Sequence, residues 1–370
     1  MVPNFYGGKP QMRQQFLEAM QPDPLGYFER DGLGRNPFPV FEAILISYHY
    51  WARWPKIPTS SIVVGDSGGF SVATLGASID PEEVILWQKR CTDIGYILDI
   101  PPYRAQASSA MASGRAADYW ENSLARTLEN VKRAAQHYRP DEEPFRWWGV
   151  CQGETRTQQD EWFEKVSEIY PFQREGEGWA MRPHPNNDFG SIARCVRFSK
   201  DNEIKNLHLL QTTGPRAVSV LIALGIESGL EFVTYDSETA ARLAVSRSCT
   251  LRPESFPAFS LKNITESSRD GETTVRDYMT SGQCPCEGCS WLAEDEIPLG
   301  QEYCHYIMLH NYCVMQENFN AIEREAKVSP EELLRVATGD QFGTVRRAFE
   351  HPYQTNVGSG KKRSILSRLS

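Results

Sequence analysis

The sequence predicts an α/β fold, a modified (β/α)8 TIM barrel with an inserted or appended zinc-binding subdomain. Short apolar, β-branched runs alternate with longer amphipathic stretches, which is typical of strand–helix units around a parallel sheet. Near residue 300, three cysteines and a histidine have the spacing of a structural zinc site. We expect the barrel and an irregular N-terminal segment over 1–280, the zinc-binding subdomain over 281–326, and a C-terminal helix with a basic tail over 327–370.

Six short runs are strand candidates, and the stretches between them are predicted to be helical. Asp80 precedes Pro-Glu-Glu as an N-cap would, and residues 116–138 place apolar side chains at helical spacing. Six such units favour a closed barrel over an open doubly wound sheet. The strand candidates are 41–47, 61–64, 96–98, 147–151, 207–210 and 232–235.

The candidate metal ligands are Cys284, Cys286 and Cys289, which form a C-x-C-x-x-C cluster, together with His310 further along the chain. Three thiolates and one imidazole match tetrahedral zinc and leave no coordination position open, so we expect a zinc ion that stabilises the fold. His305 is the alternative fourth ligand. The alternative for the whole cluster is a set of ordinary reduced thiols.

The composition is that of a globular protein, with 40% of the 370 residues hydrophobic and 24% charged. No apolar run is long enough to span a bilayer, and the first ten residues lack the features of a secretory signal, so we expect a cytoplasmic protein with no membrane partner. Nine cysteines, an odd number and partly clustered, fit metal binding in a reducing compartment better than a disulfide framework.

Charge is unevenly distributed along the chain. The net charge of −9 argues against binding nucleic acid through overall charge alone. After residue 355 there are no acidic residues, and the basic ones are Lys361, Lys362, Arg363 and Arg368. This tail is a candidate for contact with phosphates, and a frayed, solvated terminus is the alternative.

Four polar residues directly follow strand candidates: Asp66, Asp99, Gln152 and Asp236. In a barrel of this class the loops after the strands form the active site. Several carboxylates and an amide at one barrel mouth suggest acid–base chemistry on a polar heteroaromatic or sugar substrate. An amide can read the edge of a purine, and a carboxylate can attack a sugar at its anomeric carbon. Helix caps or turn residues are the alternative for Asp66 and Asp236.

Taken together, these motifs resemble those of the tRNA-guanine transglycosylase family. The shared motifs are Asp-Ser-Gly-Gly-Phe at 66–70, the Asp-x-Pro-Pro turn at 99–102, Gly-Val-Cys-Gln-Gly at 149–153, Tyr-Asp-Ser at 235–237, and the cysteine cluster with His-Asn at 310–311. They occur in the family's order and cover roughly residues 61–320. The resemblance implies a modified (β/α)8 barrel with structural zinc that exchanges a guanine in a nucleic acid for a 7-deazaguanine.

The resemblance also implies roles for individual residues. Asp236 is then the nucleophile that attacks C1′ and forms a covalent enzyme–nucleic acid intermediate, and Asp66 is the general base for the incoming deazaguanine. Phe70 takes the place of an aromatic that stacks on the base, although a core position is its alternative. The implied substrate-binding residues are Ser67, Phe70, Asp99, Gln152 and Gly153.

Other segments depart from the family pattern. Residues 237–243 lack the Pro-Thr-Arg and Gly-rich stretch that grips a tRNA anticodon loop, and residues 178–183 replace a Gly-Gly-Leu type loop. These departures resemble the branch that places 7-deazaguanines, such as 7-cyano-7-deazaguanine, into the DNA of bacteria and phages. A base in duplex DNA must be flipped out. Candidates for DNA contact are Trp147, Trp148, Trp179, His184 and the basic tail, with core packing as the alternative for the tryptophans.

Three other functions remain alternatives at this stage. They are a tRNA-guanine transglycosylase that acts on tRNA, a non-catalytic RNA-binding partner subunit, and a zinc-stapled glycosidase. Retention of both Asp66 and Asp236 counts against the non-catalytic subunit. Relatives commonly form dimers through the zinc-bearing region, so a homodimer is also expected from the resemblance.

Overall fold

The computed structural model describes residues 2–3, 43–52, 62–102, 116–183, 188–212, 214–237, 240, 243–244, 246–265, 274–295 and 301–352. The predicted basic tail from residue 355 onward and His184 lie outside these residues. None of the helices in the described ranges combines the length and apolar character needed to cross a bilayer.

A curled parallel sheet forms the centre of the fold, as the alternating sequence pattern predicts. Seven of its strands follow one another in both space and sequence, from β2 at one edge to β8, and the two-residue β1 pairs in parallel with β8. The strands are β1 (Val2–Pro3), β2 (Ala43–Ser47), β3 (Ile62–Asp66), β4 (Ile94–Tyr96), β5 (Arg146–Cys151), β6 (Trp179–Met181), β7 (Asn206–Leu209) and β8 (Phe232–Ser237).

The order of strands is that of a barrel laid open along one seam. Consecutive neighbours with one hand of connection and a curled sheet give an α/β half-barrel. No backbone pairing joins β1 to β2 within the described ranges, so closure into a (β/α)8 barrel is not established.

Helices follow each strand from β2 to β7, and several of them begin at a side-chain cap. The Asp80 side chain accepts a hydrogen bond from the Glu82 N–H, which confirms the predicted N-cap. Thr155 and Gln158 form a capping box at the start of the helix after β5. These helices are α1 (Tyr48–Trp51), α2 (Gly69–Leu75), α3 (Pro81–Cys91), α4 (Ala116–Ala135), α5 (Arg156–Ile169), α6 (Phe189–Asp201) and α7 (Pro215–Glu227).

Two strand predictions needed correction. The predicted strand at 96–98 lies two residues earlier, over β4, and the buried residues Ile97 and Leu98 follow it. Strand β6 falls in a segment that the sequence suggested to be a loop. Its three residues are all buried, and a run this short shows no alternation of apolar and polar residues that would reveal a strand.

After β8 the regular alternation ends, at the position where the sequence predicts a metal-bearing region. A small antiparallel pair precedes a group of helices, of which α10 and α11 pack on α7, and α12 packs on α6. The elements are β9 (Ser248–Thr250), β10 (Asn263–Thr265), α8 (Val275–Thr280), α9 (Glu287–Asp295), α10 (Gln301–Val328), α11 (Pro330–Thr338), a 3-10 turn (Gly339–Gln341) and α12 (Phe342–Glu350).

The tryptophans considered for DNA contact belong to the core. Trp147, Trp148 and Trp179 are each 1% exposed, so the core-packing alternative is correct for all three. Trp147 packs against Phe172 in the layer between sheet and helices, at 5.2 Å between ring centroids. Buried aromatic rings of this size contribute strongly to core stability through their area.

A column of rings fills the concave side of the sheet. The Trp148 ring contacts Tyr96 at 6.3 Å and Phe232 at 6.4 Å, and Tyr96 in turn contacts His208 at 5.2 Å between centroids. Trp148 also donates its indole N–H to the Gly176 carbonyl at 2.8 Å, on the side of the sheet where the strands begin. We call these four side chains the ring column. It supports the polar residues at the carboxyl edge of the sheet.

Candidate functional site

The carboxyl edge of the sheet brings the sequence-predicted polar residues together. Asp66 is the last residue of β3 and pairs in register with Ser47, the last residue of β2. Asp236 lies near the end of β8, in register with Val2 of β1. The Asp66 and Asp236 side chains are close enough for the charge of one to act on the other. Two carboxylates from strands far apart in sequence therefore lie at the same edge of the sheet.

The Asp66 carboxylate is held at a sharp strand-to-helix turn. The Gly68 N–H donates to Asp66 Oδ2 at 3.2 Å, and Gly68 has φ of 82°, a conformation that favours glycine. Loss of hydration raises the pKa of Asp66, and the negative charge of Asp236 raises it further, while the Gly68 N–H opposes both. A carboxyl with a raised pKa keeps its proton to higher pH than a solvated one and can then donate it.

Asp236 is 5% exposed and is held by donors from the adjacent strand β7. The Gln211 N–H donates a short hydrogen bond to Asp236 Oδ1. The Nε2 atom of His208 lies 3.7 Å from the same oxygen. The Asp236 carboxylate therefore accepts a hydrogen bond from the loop after β7 and lies near a histidine of β7.

Asp99 and Gln152 form a second polar pair beside these carboxylates. Gln152 Nε2 donates to Asp99 Oδ2 at 2.8 Å, and both side chains are buried. Burial raises the pKa of Asp99 to about 7, and the negative charge of Asp66 adds to this, while the bond from Gln152 lowers it. Asp99 therefore changes protonation state close to physiological pH.

Two glycines of the predicted motifs are required by close contacts. A Cβ on Gly69 would lie 2.0 Å from the Asp99 carbonyl oxygen, so the start of α2 lies directly against the Asp99 loop. Gly153 has φ of 141°, and a Cβ there would lie 2.7 Å from the Gln159 amide nitrogen. The first contact keeps the Asp66 and Asp99 loops together, and the second fixes the Gln152 loop against the start of α5.

Several buried polar atoms at this edge have no hydrogen-bond partner among the described residues. The Ser47 hydroxyl lies near the Asp66 carboxylate, yet its geometry does not form a hydrogen bond. Buried polar groups are normally paired, so a group of unpaired ones at one edge is typical of a site that binds a polar ligand. The atoms are Ser47 Oγ, Ser67 Oγ, His208 Nε2 and Thr212 Oγ1.

Phe70 lies in the first turn of α2, four residues after Asp66, and is 49% exposed. An exposed aromatic ring next to buried carboxylates is not a core residue. Its position fits a surface on which a planar ring can stack.

The four predicted metal ligands also come together. The ligand atoms of Cys284, Cys286, Cys289 and His310 all lie within 4.8 Å of one another, and all four residues are buried. His310 Nδ1 lies 3.3 Å from Cys286 Sγ and 3.2 Å from Cys289 Sγ. This Cys3His group can hold a metal ion and is compatible with zinc. The side chain of the alternative ligand His305 lies outside the described residues.

The surroundings of the cluster favour metal binding by His310. Its Nε2 lies 2.7 Å from the Thr250 carbonyl oxygen, so Nε2 carries the proton and the Nδ1 lone pair is directed at the thiols. A Cβ on Gly288 would lie 2.8 Å from the His310 amide nitrogen, so only glycine permits this approach of the cysteine knuckle to α10.

Asn311 connects the Cys3His group to the strand that holds Asp236. Its Oδ1 accepts from the Thr250 N–H at 2.7 Å, and its Nδ2 donates to the Ser248 carbonyl at 3.0 Å and the Ala240 carbonyl at 3.4 Å. Ala240 follows Asp236 by four residues. Tyr235 packs on Phe319 of α10, at 5.3 Å between centroids. Helix α10 therefore carries a candidate metal ligand and also contacts the residue before Asp236 and the segment after it.

Sequence reasoning did not identify the roles of His208 and Asn311. His208 stands inside a predicted strand, and its alternation with Leu207 and Leu209 was the available signal that it lies on the concave face. Asn311 was noted only as part of the His310 motif, and a buried asparagine next to a metal ligand was the available signal.

The chain matches no family model, and no curated protein matches it. Any functional proposal must therefore be argued from the chemistry of the site alone. The residues that come together here are two carboxylates, a carboxyl with a pKa of about 7 that is paired with an amide, and an exposed aromatic ring. Such groups are able to carry out acid–base and nucleophilic chemistry.

Proposed function

We propose that the protein is a pentosyltransferase that exchanges guanine in DNA for a 7-deazaguanine, with 7-cyano-7-deazaguanine as the incoming base. The observation that carries this proposal is the meeting of Asp66 and Asp236 at one edge of the sheet, since the exchange needs a nucleophile and a proton-transfer group together. We further propose that the curled sheet closes into a modified (β/α)8 barrel.

The first half of the reaction forms a covalent intermediate. A carboxylate oxygen of Asp236 attacks C1′ of the nucleotide, and the C1′–N9 bond breaks with its electron pair moving to guanine. Asp66, whose pKa is raised, gives a proton to the leaving base. An ester between Asp236 and C1′ results, and guanine leaves as a neutral molecule.

The second half reverses these steps with a different base. The Asp66 carboxylate takes the N9 proton from the incoming 7-deazaguanine, whose nitrogen then attacks C1′. The C1′–O bond breaks, its electron pair returns to Asp236, and both carboxyls regain their starting states. Atoms and protons balance over the two halves, so no cofactor is consumed.

Asp99 and Gln152 have the chemistry to read the base. Gln152 donates one N–H to Asp99, so the carbonyl oxygen and the second N–H of the Gln152 amide remain for a ligand. Asp99 with a pKa of about 7 can donate when protonated and accept when ionised. We assign these two residues to the polar edge of the guanine-type ring, and Phe70 to stacking on its face.

We propose that the Cys3His group holds zinc. Zinc held by Cys284, Cys286, Cys289 and His310 would supply folding energy, because three thiolates and an imidazole fill a tetrahedral site. The bonds from Asn311 to Ala240, after Asp236, and to Ser248 of β9 support this proposal, since they connect α10 to those segments.

A base-exchange experiment tests the proposal. DNA carrying radiolabelled guanine, single-stranded and duplex, is incubated with protein and 7-cyano-7-deazaguanine, and tRNA is treated in parallel. We expect label to leave the DNA and a denaturant-resistant protein–DNA adduct to form. Loss of label from tRNA alone would replace DNA by tRNA as substrate, and loss from neither would overturn the proposal.

Asp236→Asn provides the matched test of the intermediate. We expect this variant to form no adduct, because an amide is a far weaker nucleophile than a carboxylate. Asp188→Asn is the control, since the Asp188 side chain caps α6 by accepting from the Ser191 N–H and asparagine caps equally well. An adduct that persists in Asp236→Asn, or disappears in Asp188→Asn, would contradict the assigned role.

A further inference from the structure

His208 is fully buried below the proposed nucleophile, and the mechanism above gives it no role. Its Nδ1 lies 2.9 Å from Thr234 Oγ1, on the neighbouring strand in direct register. Its Nε2 lies 3.7 Å from Asp236 Oδ1 and has no hydrogen-bond partner among the described residues. The Tyr96 ring lies against the imidazole at 5.2 Å between centroids. The ring is therefore confined, with one nitrogen anchored and the other directed at Asp236.

The contacts of His208 select which nitrogen carries the proton. A bare Nε2 lone pair facing a carboxylate oxygen would be repulsive, whereas an Nε2–H is attracted to it. The Thr234 hydroxyl can donate to Nδ1, which matches a neutral ring protonated on Nε2. Both ends of the imidazole are then satisfied by a single arrangement.

Resting on the proposed function, we propose that His208 is a positioning residue that orients Asp236 for attack. The separation of 3.7 Å is somewhat longer than a hydrogen bond, so a small movement of Asp236 on substrate binding would allow Nε2–H to donate to Oδ1. The Gln211 N–H already donates to that oxygen. Two donors on one oxygen fix the rotation of the carboxylate while the C1′ bond forms. The arrangement consists of Thr234, His208 and Asp236 in a line across two strands.

The protonation of His208 is tested on the unmodified protein. In nitrogen-15 NMR spectra of histidine-labelled protein, the signal missing from His208→Gln identifies His208. We expect Nε2 to carry a proton, whether or not Nδ1 also carries one. A bare Nε2 overturns the inference, and this result does not depend on which reaction the protein catalyses.

Kinetic variants test whether the contact matters for the reaction. Glutamine can place an N–H near the position of Nε2, whereas phenylalanine fills the space without a donor. At saturating DNA we expect adduct formation to slow roughly 10- to 100-fold in His208→Phe, since small displacements of a reacting group cost rates of this order. His208→Gln should regain most of this loss, and the dissociation constant for DNA should stay within about 2-fold in both.

The outcomes separate the inference from the proposed function. A normal adduct rate in His208→Phe, or an equal loss in both variants, overturns the positioning role while the base exchange stands. Thr234→Val removes the anchor on Nδ1, and Thr234→Ser keeps it, so only the valine variant should slow adduct formation. If unmodified protein forms no adduct although Nε2 is protonated, the proposed function fails while the geometry inferred for His208 stands.

Discussion

Asp99 gives a pH-dependent prediction that follows from its burial beside Asp66. Its pKa is raised from 3.8 to about 7 in the folded protein, first by burial and then by the Asp66 charge. A carboxyl whose folded pKa is raised stabilises the fold below its unfolded pKa, and this stabilisation is lost as pH rises through the folded value. The stabilisation from Asp99 therefore decreases as the pH rises from about 4 to about 7.

The magnitude follows from the two pKa values. At pH 5 the folded state holds the Asp99 proton and the unfolded state has mostly released it, whereas at pH 8 both states are ionised. At about 1.4 kcal/mol for each tenfold step, the Asp99 contribution to the free energy of unfolding falls by about 2.5 kcal/mol between pH 5 and pH 8. Asp66 also has a raised pKa, so its contribution has the same sign.

Comparison with Asp99→Asn isolates this contribution from other titrating groups. Asparagine has nearly the same shape and its carbonyl can still accept from Gln152, but it does not ionise. Urea unfolding of both proteins at pH 5 and pH 8 gives the free energies. From pH 5 to pH 8, we expect the free energy of unfolding of Asp99→Asn to rise by about 2.5 kcal/mol relative to that of the unmodified protein. If the two proteins differ in free energy of unfolding by the same amount at pH 5 and at pH 8, the pKa of Asp99 is not raised.

Two further predictions concern the metal-bearing region. Cys286→Ser should lower the zinc content of the purified protein and its resistance to urea. The control is Cys91→Ser, which changes a buried thiol of α3 outside the cluster and should keep full metal content. Equal zinc content in the two variants would contradict the ligand assignment. Asn311→Ala leaves buried backbone groups of β9 without hydrogen bonds, and Asn318→Ala leaves the backbone N–H and carbonyl of Ala258 without theirs. Each change should lower the free energy of unfolding in urea by about 2 to 4 kcal/mol. Only Asn311→Ala should also weaken zinc binding, roughly 10-fold in a chelator competition, because it loosens strand β9, whose Thr250 carbonyl orients His310. A similar weakening in Asn318→Ala would count against a specific connection between Asn311 and the metal site.

The fold class could be predicted because the sequence pattern reports burial. Six of the strands of the sheet appear as apolar runs between amphipathic helices, and the Asp80 cap marks a helix start. Strand β6 could not be predicted, since its burial depends on neighbours distant in sequence. Closure depends on the pairing of edge strands, which no local pattern encodes.

The candidate site was predictable to the extent that it follows strand ends. Asp66, Asp99, Gln152 and Asp236 stand directly after or at the ends of apolar runs, and parallel strands place such positions at one edge. The partnership of Asp236 with His208 was not predictable, because it depends on the register between β7 and β8. The exposure of Phe70 likewise depends on how α2 packs, which composition does not specify.

The ring column has a consequence for the traffic of small molecules. Trp148, Tyr96, His208 and Phe232 pack ring against ring on the concave side, so aromatic side chains occupy space beneath the carboxyl edge. If the proposed base exchange is correct, we expect the departing base and its replacement to use the carboxyl edge in turn, with the first leaving before the second enters.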